Sequence, residues 1–185
     1  MKILIITGST RPGRAGEAVG NWVHRVASQR SDATYELVDL ADYELELLNE
    51  PTVPGAANGN YDNAATRRWS EKIASADGFV FVTPEYNHGV PAAMKNSFDV
   101  LYPEWMNKAV TFVSYGADAG VRAVENWRVI VINAFLYATR SVVSLSLFTD
   151  FGEGGFAPQD RRAGELNGAL DELVPLAGAV KTLRS

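Results

Sequence analysis

The 185-residue chain contains no cysteine and only two histidines. A disulfide framework, a thiolate metal site and a cysteine nucleophile are therefore excluded, and nothing in the sequence calls for an oxidising compartment. Basic residues are also in short supply. Lys and Arg number 17 against 22 Asp and Glu, a net charge of −5, which gives no general attraction to phosphate backbones or anionic lipid. Neither nucleic acid nor a membrane is an expected partner. No apolar run is long enough to cross a bilayer, and no charged segment followed by a cleavage site stands at the start. The expectation is a cytoplasmic protein.

What is present is an ordinary share of core-forming residues: 46% hydrophobic and 21% charged, enough to fold by burial and consistent with one domain over residues 1–185. Five short apolar, β-branched runs punctuate the chain, at 2–7, 34–40, 78–84, 109–116 and 141–147. Their nearly continuous hydrophobicity predicts strands covered on both faces, as in a parallel sheet. Helical periodicity fills the intervals 16–29, 63–75, 90–101, 119–138 and 161–182, with Val90, Met94, Phe98 and Leu101 sharing one face of the third of these. The alternation predicts an α/β domain with right-handed crossovers. Between Leu40 and Ala64, prolines, glycines and asparagines break any period. A loop of that length is either part of a binding surface or subunit contact, or a plain surface excursion.

Directly after the first strand comes GSTRPGR, residues 8–14. Its glycines match a nucleoside-triphosphate loop, but Arg14 replaces the lysine and Ala15 the hydroxyl residue that would bind magnesium. Phosphoryl transfer is therefore a weak reading. The dinucleotide pattern G-x-G-x-x-G is absent, and Asp39 alone does not replace it. A receiver domain would need carboxylates where Thr7, Gly8 and Ser9 stand. What remains is a loop with two hydroxyls, Ser9 and Thr10, two guanidiniums, Arg11 and Arg14, and a helix beginning near Gly16, a combination suited to a terminal monophosphate. The competing account is that Ser9 and Thr10 cap the helix and the arginines are solvated.

Two further loops lie at carboxyl ends of strands, where open parallel sheets bind ligands. TPEYNHGVP, residues 83–91, offers the amphipathic ring of Tyr86, the amide of Asn87 and the small Gly89, although Pro, Asn and Gly also suit a simple turn. SYGADAG, residues 114–120, follows the fourth strand in the same way. One phosphate loop and two loops with small or aromatic residues on one edge make a site for a phosphorylated planar molecule, and the combination suggests FMN.

GSTRPGR, TPEYNHGVPAAMKNSFD and EWMNKAVTFVSYG, in this order and spacing, resemble the motifs of the NADPH-dependent FMN reductase family, and RRWSEKIASADGFVFVTPEYN extends the likeness upstream. The resemblance covers most of residues 2–140. It implies a flavodoxin-like three-layer α/β/α sandwich on a five-stranded parallel sheet of order 2-1-3-4-5. It further implies an enzyme that passes hydride from NADPH or NADH to FMN and then reduces a small acceptor: free flavin, a quinone, an azo compound or a metal oxyanion. Carried over by position, Ser9, Arg11 and Arg14, with Ala15, Gly16, Glu17 and Ala18, would hold the FMN phosphate. Pro84, Glu85, Tyr86, Asn87 and Gly89 would border the ribityl chain and ring, and Ser114, Tyr115 and Gly116 would approach the pyrimidine end. Relatives carry Ser or Asn in the helix-opening turn where this chain has Gly16, Glu17 and Ala18, and a richer glycine run where it has Ala117, Asp118 and Ala119. A homodimer or dimer of dimers, pairing the helix after PEYN and the 41–63 loop, is also implied. The alternative is a non-enzymatic flavodoxin-like electron carrier, which would present a more strongly acidic docking face.

No catalytic acid or base is assigned, because the cofactor carries such chemistry. His88 reads as polar surface, and His24 has no visible partner in the sequence. Glu85 is expected to orient a loop, and Trp69, Trp105 and Trp127 to pack helices or a subunit contact. Arg67, Arg68 and Arg122 are the candidates for an NADPH 2′-phosphate. No cluster of histidines and carboxylates has metal-binding spacing.

Overall fold

The computed structural model describes residues 1–184. In chain order the elements are β1 (Lys2–Thr7), α1 (Gly16–Ala27), β2 (Thr34–Asp39), α2 (Pro54–Ala57), α3 (Ala64–Ala74), β3 (Gly78–Pro84), α4 (Ala92–Asp99) and β4 (Lys108–Gly116), followed by α5 (Val121–Asn133), β5 (Leu136–Ala138), β6 (Val143–Ser146), β7 (Phe151–Gly152), β8 (Gly155–Phe156) and α6 (Arg161–Lys181). The main sheet is parallel with order β2-β1-β3-β4-β5, as expected. Ile5 aligns with Leu37 on one side and Val80 on the other.

Alternation along each buried strand divides the core into two halves. Ile3, Ile5, Val80, Val82 and Val113 face α1 and α6, meeting Val19, Val23, Leu166, Leu170 and Leu173. Leu4, Ile6, Phe79, Phe81 and Phe112 face α3, α4 and α5, where Trp69, Trp105 and Trp127 pack among them with no appreciable exposure. The tryptophans thus fill the core, as read from sequence: Trp105 stacks on Phe98, and Trp127 meets Phe81 edge-on. Each such fully buried apolar side chain contributes about 1.5–3 kcal/mol.

Two expectations need correction. The strand placed at 141–147 is only half of the sheet's last position: β5 pairs with Lys108–Val110 and β6 with Val113–Gly116, both parallel to β4. The helix extended to residue 138 stops at Asn133, because Phe135 adopts a left-handed backbone (φ 52°) and Leu136–Ala138 join the sheet. Apolar periodicity continues through Ala134 and Leu136, and the backbone reversal carries no glycine to announce it.

The 41–63 segment is anchored rather than loose. It holds a single 3₁₀ turn at Leu40–Tyr43 and the short α2. Asn96 of α4 accepts from Leu48 N (2.9 Å) and donates to Glu46 O (2.8 Å), while the buried Tyr61 hydroxyl bonds Glu104 at 3.0 Å. Leu47, Leu48 and Val53 nevertheless remain exposed.

Candidate functional site

From β1 the chain goes to β2 on one side and returns through β3 on the other, so the strand order reverses at the β1–β3 boundary. The carboxyl ends of β1, β3 and β4 bring residues 8–15, 85–91 and 117–120 to one edge of the sheet. Open parallel sheets bind ligands at such a reversal.

The first loop begins with Gly8 N donating to Val82 O (2.9 Å) and turns through Arg14 N to Arg11 O (3.1 Å). Helix α1 opens at Ala15 without any side-chain cap. Capping by Ser9 or Thr10 is thus ruled out; the Ser9 hydroxyl, almost fully buried, instead lies 2.8 Å from the Tyr86 hydroxyl. An uncapped helix N-terminus presents backbone donors and a positive partial charge to whatever occupies the loop. The two arginines differ. Arg11 is exposed and donates weakly to the carbonyls of Pro12 and Gly13, whereas Arg14 pairs through Nη2 with Asp39, leaving Nε buried and without a partner. Gly16 is buried, while Glu17 and Ala18 are exposed on the first helical turn.

The second loop is a tight hairpin. Tyr86 and Gly89 exchange backbone hydrogen bonds of 3.1 and 3.0 Å, and Asn87 (φ 50°) and His88 (φ 64°) both take left-handed conformations between them. This double reversal turns the chain back sharply. A Cβ at Gly89 would meet nothing closer than 3.8 Å within the chain, so the fold itself does not demand glycine there. Pro84 is buried, and Glu85 N donates to Tyr115 O (3.0 Å). The Glu85 carboxylate accepts from Arg122 N (3.0 Å) and from its guanidinium (2.5 Å), which also pairs with Asp118. Glu85 therefore orients loops, as expected, and Arg122 is engaged by two carboxylates.

The third loop depends on Gly120. Its φ is 72°, and a Cβ there would stand 2.7 Å from Ser114 Cβ and 2.9 Å from Tyr115 N. Ser114 is fully buried with its hydroxyl donating to Ala119 O (2.8 Å), so its side chain supports this loop from beneath. Tyr115 departs from its expected position: its side chain crosses toward α1, where the hydroxyl lies 2.5 Å from the point a Gly16 Cβ would occupy. That hydroxyl is buried and unpartnered. Burial, followed by the nearby Tyr86, raises the Tyr115 pKa well above the ordinary phenol value, against the hydrogen-bonding pull of the Ser9 hydroxyl and the charges of Arg11 and Arg14. It therefore stays protonated at neutral pH and is available as a donor. Alternation along β4 explains the difference, since neighbouring residues point to opposite faces of the sheet.

Arg11, Ala15, Pro84, Glu85, Tyr86, Tyr115 and Gly116, all singled out from the sequence, line one cleft together with Leu147. Leu147 N donates to Gly116 O (3.0 Å). In the sequence it reads only as the last residue of the apolar run 141–147, whereas the strand ends at Ser146 and Leu147 turns to the cleft. Asp150 anchors the segment after it, accepting from Ser146 N, Gln159 N and the Arg162 guanidinium. A larger groove of 420 Å³ lies across Thr10, between Leu40–Leu47 and α4, but no cation lines it. Among the other candidates, Arg67 donates to the carbonyls of Tyr61 and Asp62, and Arg68 to Tyr43 O. His24 does have neighbours, Tyr35 O and Ser28 Oγ, each at 3.3 Å. His88 is exposed and its carbonyl accepts from Asn126.

The family model for NADPH-dependent FMN reductase matches residues 1–150. The chain belongs to this family. An NAD(P)H-dependent FMN reductase of Schizosaccharomyces pombe is 44% identical over 119 residues, covering 64% of this chain and 60% of the relative. An NADPH azoreductase of a Bacillus species is 30% identical over 159 residues, covering 84% and 83%. The matched region spans about three-fifths of the length of the fission-yeast relative. Among solved structures, the flavoenzyme FerB from Paracoccus denitrificans superposes with a TM-score of 0.74 at 16% identity over 96% of this chain and 97% of its own. The fold is flavodoxin-like.

The donors at the first loop fit an FMN phosphate. Among the described residues, three buried side-chain nitrogen or oxygen atoms lack a partner, and two of them, Arg14 Nε and Tyr115 Oη, belong to this corner of the molecule. Buried donors are nearly always satisfied. Two left open beside an uncapped helix N-terminus and an exposed arginine are suited to an anion with several acceptor oxygens.

Proposed function

We propose that residues 1–185 form one FMN-binding domain of an NAD(P)H-dependent oxidoreductase that reduces a small-molecule acceptor. The observation that carries this reading is the pair of unsatisfied buried donors, Arg14 Nε and Tyr115 Oη, of which Tyr115 lines the cleft and Arg14 stands next to Ala15 at its α1 side. Family membership and relatives named as FMN reductases and an azoreductase support the redox class.

In this reading Ser9, Arg11, Arg14 and the N–H groups of Ala15–Ala18 hold the phosphate. Pro84, Glu85, Tyr86, Asn87 and Gly89 border the ribityl chain and one side of the ring, and the main chain of Ser114–Gly116 faces its polar edge. When bound, FMN supplies hydride acceptance from NAD(P)H and electron delivery to the acceptor. The protein's part is to fix the ring with one face open and to aim backbone donors at its edge. No side chain is assigned proton transfer. The acceptor is a free flavin, quinone, azo compound or metal oxyanion, and the working form is a homodimer in which α4 and the 41–63 segment meet the partner, with exposed Leu47, Leu48 and Val53 supplying apolar area.

Equilibrium dialysis of the folded apoprotein against FMN, followed by anaerobic mixing with NADPH and with NADH, tests this. Uptake of about one FMN per chain and bleaching of the flavin band are expected. Failure to take up FMN overturns the binding reading. Uptake without bleaching by either nucleotide leaves a one-electron carrier instead.

A further inference from the structure

Tyr115 lies at the end of β4, two strands away from β1, yet its hydroxyl is found against the first residue of α1. The residue is 6% exposed and, among the described residues, its Oη has no partner within hydrogen-bond geometry. Gly16 is what makes room for it: a Cβ there would overlap the hydroxyl at 2.5 Å, while the next nearest atoms stand at 3.4 Å or beyond. Gly16 has no backbone need to be glycine, because it starts a helix and its φ is not left-handed. An otherwise costly glycine in a helix, matched to a buried hydroxyl without a partner, marks a place where that hydroxyl meets something other than this chain. Of the surrounding groups, the Ser9 hydroxyl meets that of Tyr86 and also lies close enough to act on Tyr115, and Arg14 Nη2 is taken by Asp39.

We propose that Tyr115 is a phosphate ligand: its hydroxyl, admitted by Gly16, donates to a terminal oxygen of the phosphomonoester beside the uncapped N-terminus of α1. This rests on the FMN reading and adds to it a residue whose expected place was the opposite end of the flavin. It also assigns Gly16 a role through Tyr115 rather than through direct approach of main chain to ligand.

The test compares FMN with riboflavin, which lacks the phosphate, by fluorescence titration of apoprotein in the wild type, Tyr115→Phe, Gly16→Ala and the double variant. Tyr115→Phe is expected to weaken FMN about tenfold and leave riboflavin unchanged, the loss of one hydrogen bond to a charged group. The apoprotein should melt within about 1–2 °C of the wild type, since the deleted hydroxyl makes no bond within hydrogen-bond geometry in the chain. Gly16→Ala should lower the melting temperature of the wild type but not of the Tyr115→Phe background, where the overlapping atom is gone. Equal weakening of FMN and riboflavin, or unchanged FMN affinity in Tyr115→Phe, overturns the proposal while leaving FMN binding itself intact. Failure of the wild type to take up FMN overturns both.

Discussion

The hydroxyls of Ser9 and Tyr86 lie 2.8 Å apart although 77 residues separate them in the chain. This contact locks the loop after β1 to the hairpin after β3, and the two residues stand to lose unequally by its removal. Ser9 is 1% exposed, Tyr86 40%. Tyr86→Phe removes the bonded partner of a buried hydroxyl and should destabilise the apoprotein by about 1–3 kcal/mol, whereas Ser9→Ala leaves the hydroxyl of a residue that is itself exposed and should cost less. Urea unfolding of both single variants and the double variant measures the asymmetry, with the double variant less destabilised than the sum.

Gly120→Ala should destabilise the protein by about 2 kcal/mol or more, because a left-handed backbone and a collision with Ser114 and the Tyr115 main chain add together. Thermal unfolding reports it. Gly89→Ala, whose Cβ would meet its nearest atom at an ordinary contact distance of 3.8 Å, is the matched control and should shift stability by less than about 1 kcal/mol.

Lys108 is nearly buried, with Nζ donating to Ile73 O at 2.6 Å. Burial, with Arg184 adding to it, lowers its pKa from 10.5 to about 7, against the pull of Asp77 and Glu104. The unfolded chain holds this proton up to about pH 10.5 and the folded one releases it near 7, so the unfolded state binds more protons across that window. This group's contribution to stability must rise from pH 7 toward pH 10, and its unfavourable part is fully present below pH 7. Urea midpoints at pH 7, 8 and 9 should climb more steeply in the wild type than in Lys108→Met.

Asp150 is fully buried and its carboxylate holds Arg162 together with two backbone N–H groups. Asp150→Ala leaves a guanidinium largely out of water with only Glu165 as a charged partner. Breaking such a pair costs about 3–5 kcal/mol, and the melting temperature should fall by roughly 10 °C.

Nearly every strand was legible because burial on both faces leaves unbroken apolar runs such as GFVFVTP, all seven residues of which are buried; their order in the sheet followed from the family resemblance alone. The loops of the site were legible because they follow such runs with glycine, proline and hydroxyl residues. The division of the last strand was not, since Leu136–Ala138 is too short to separate by pattern from the helix before it. Pairings across the site were hidden as well. Nothing local to Arg14 announces Asp39, and nothing in the run VSYG reveals that Tyr115, and not Ser114, reaches α1. Gly120 was open to recognition: a glycine at a helix start next to a tight turn signals a left-handed backbone, but it read only as part of a diluted glycine run.

The division of the outermost position closes off one way of joining two copies of this protein. Past β4 the rim of the sheet consists of three residues, an interval at 139–142, and four residues, too short and interrupted to template an incoming strand. The opposite rim, β2, is continuous over six residues but carries ion pairs, Glu36 with Lys2 and Lys72 and Asp39 with Arg14, and charged side chains along an edge discourage a neighbour drawing alongside. Self-association by lengthening the sheet is thereby discouraged at both borders, which leaves helical and loop surfaces for contact between copies.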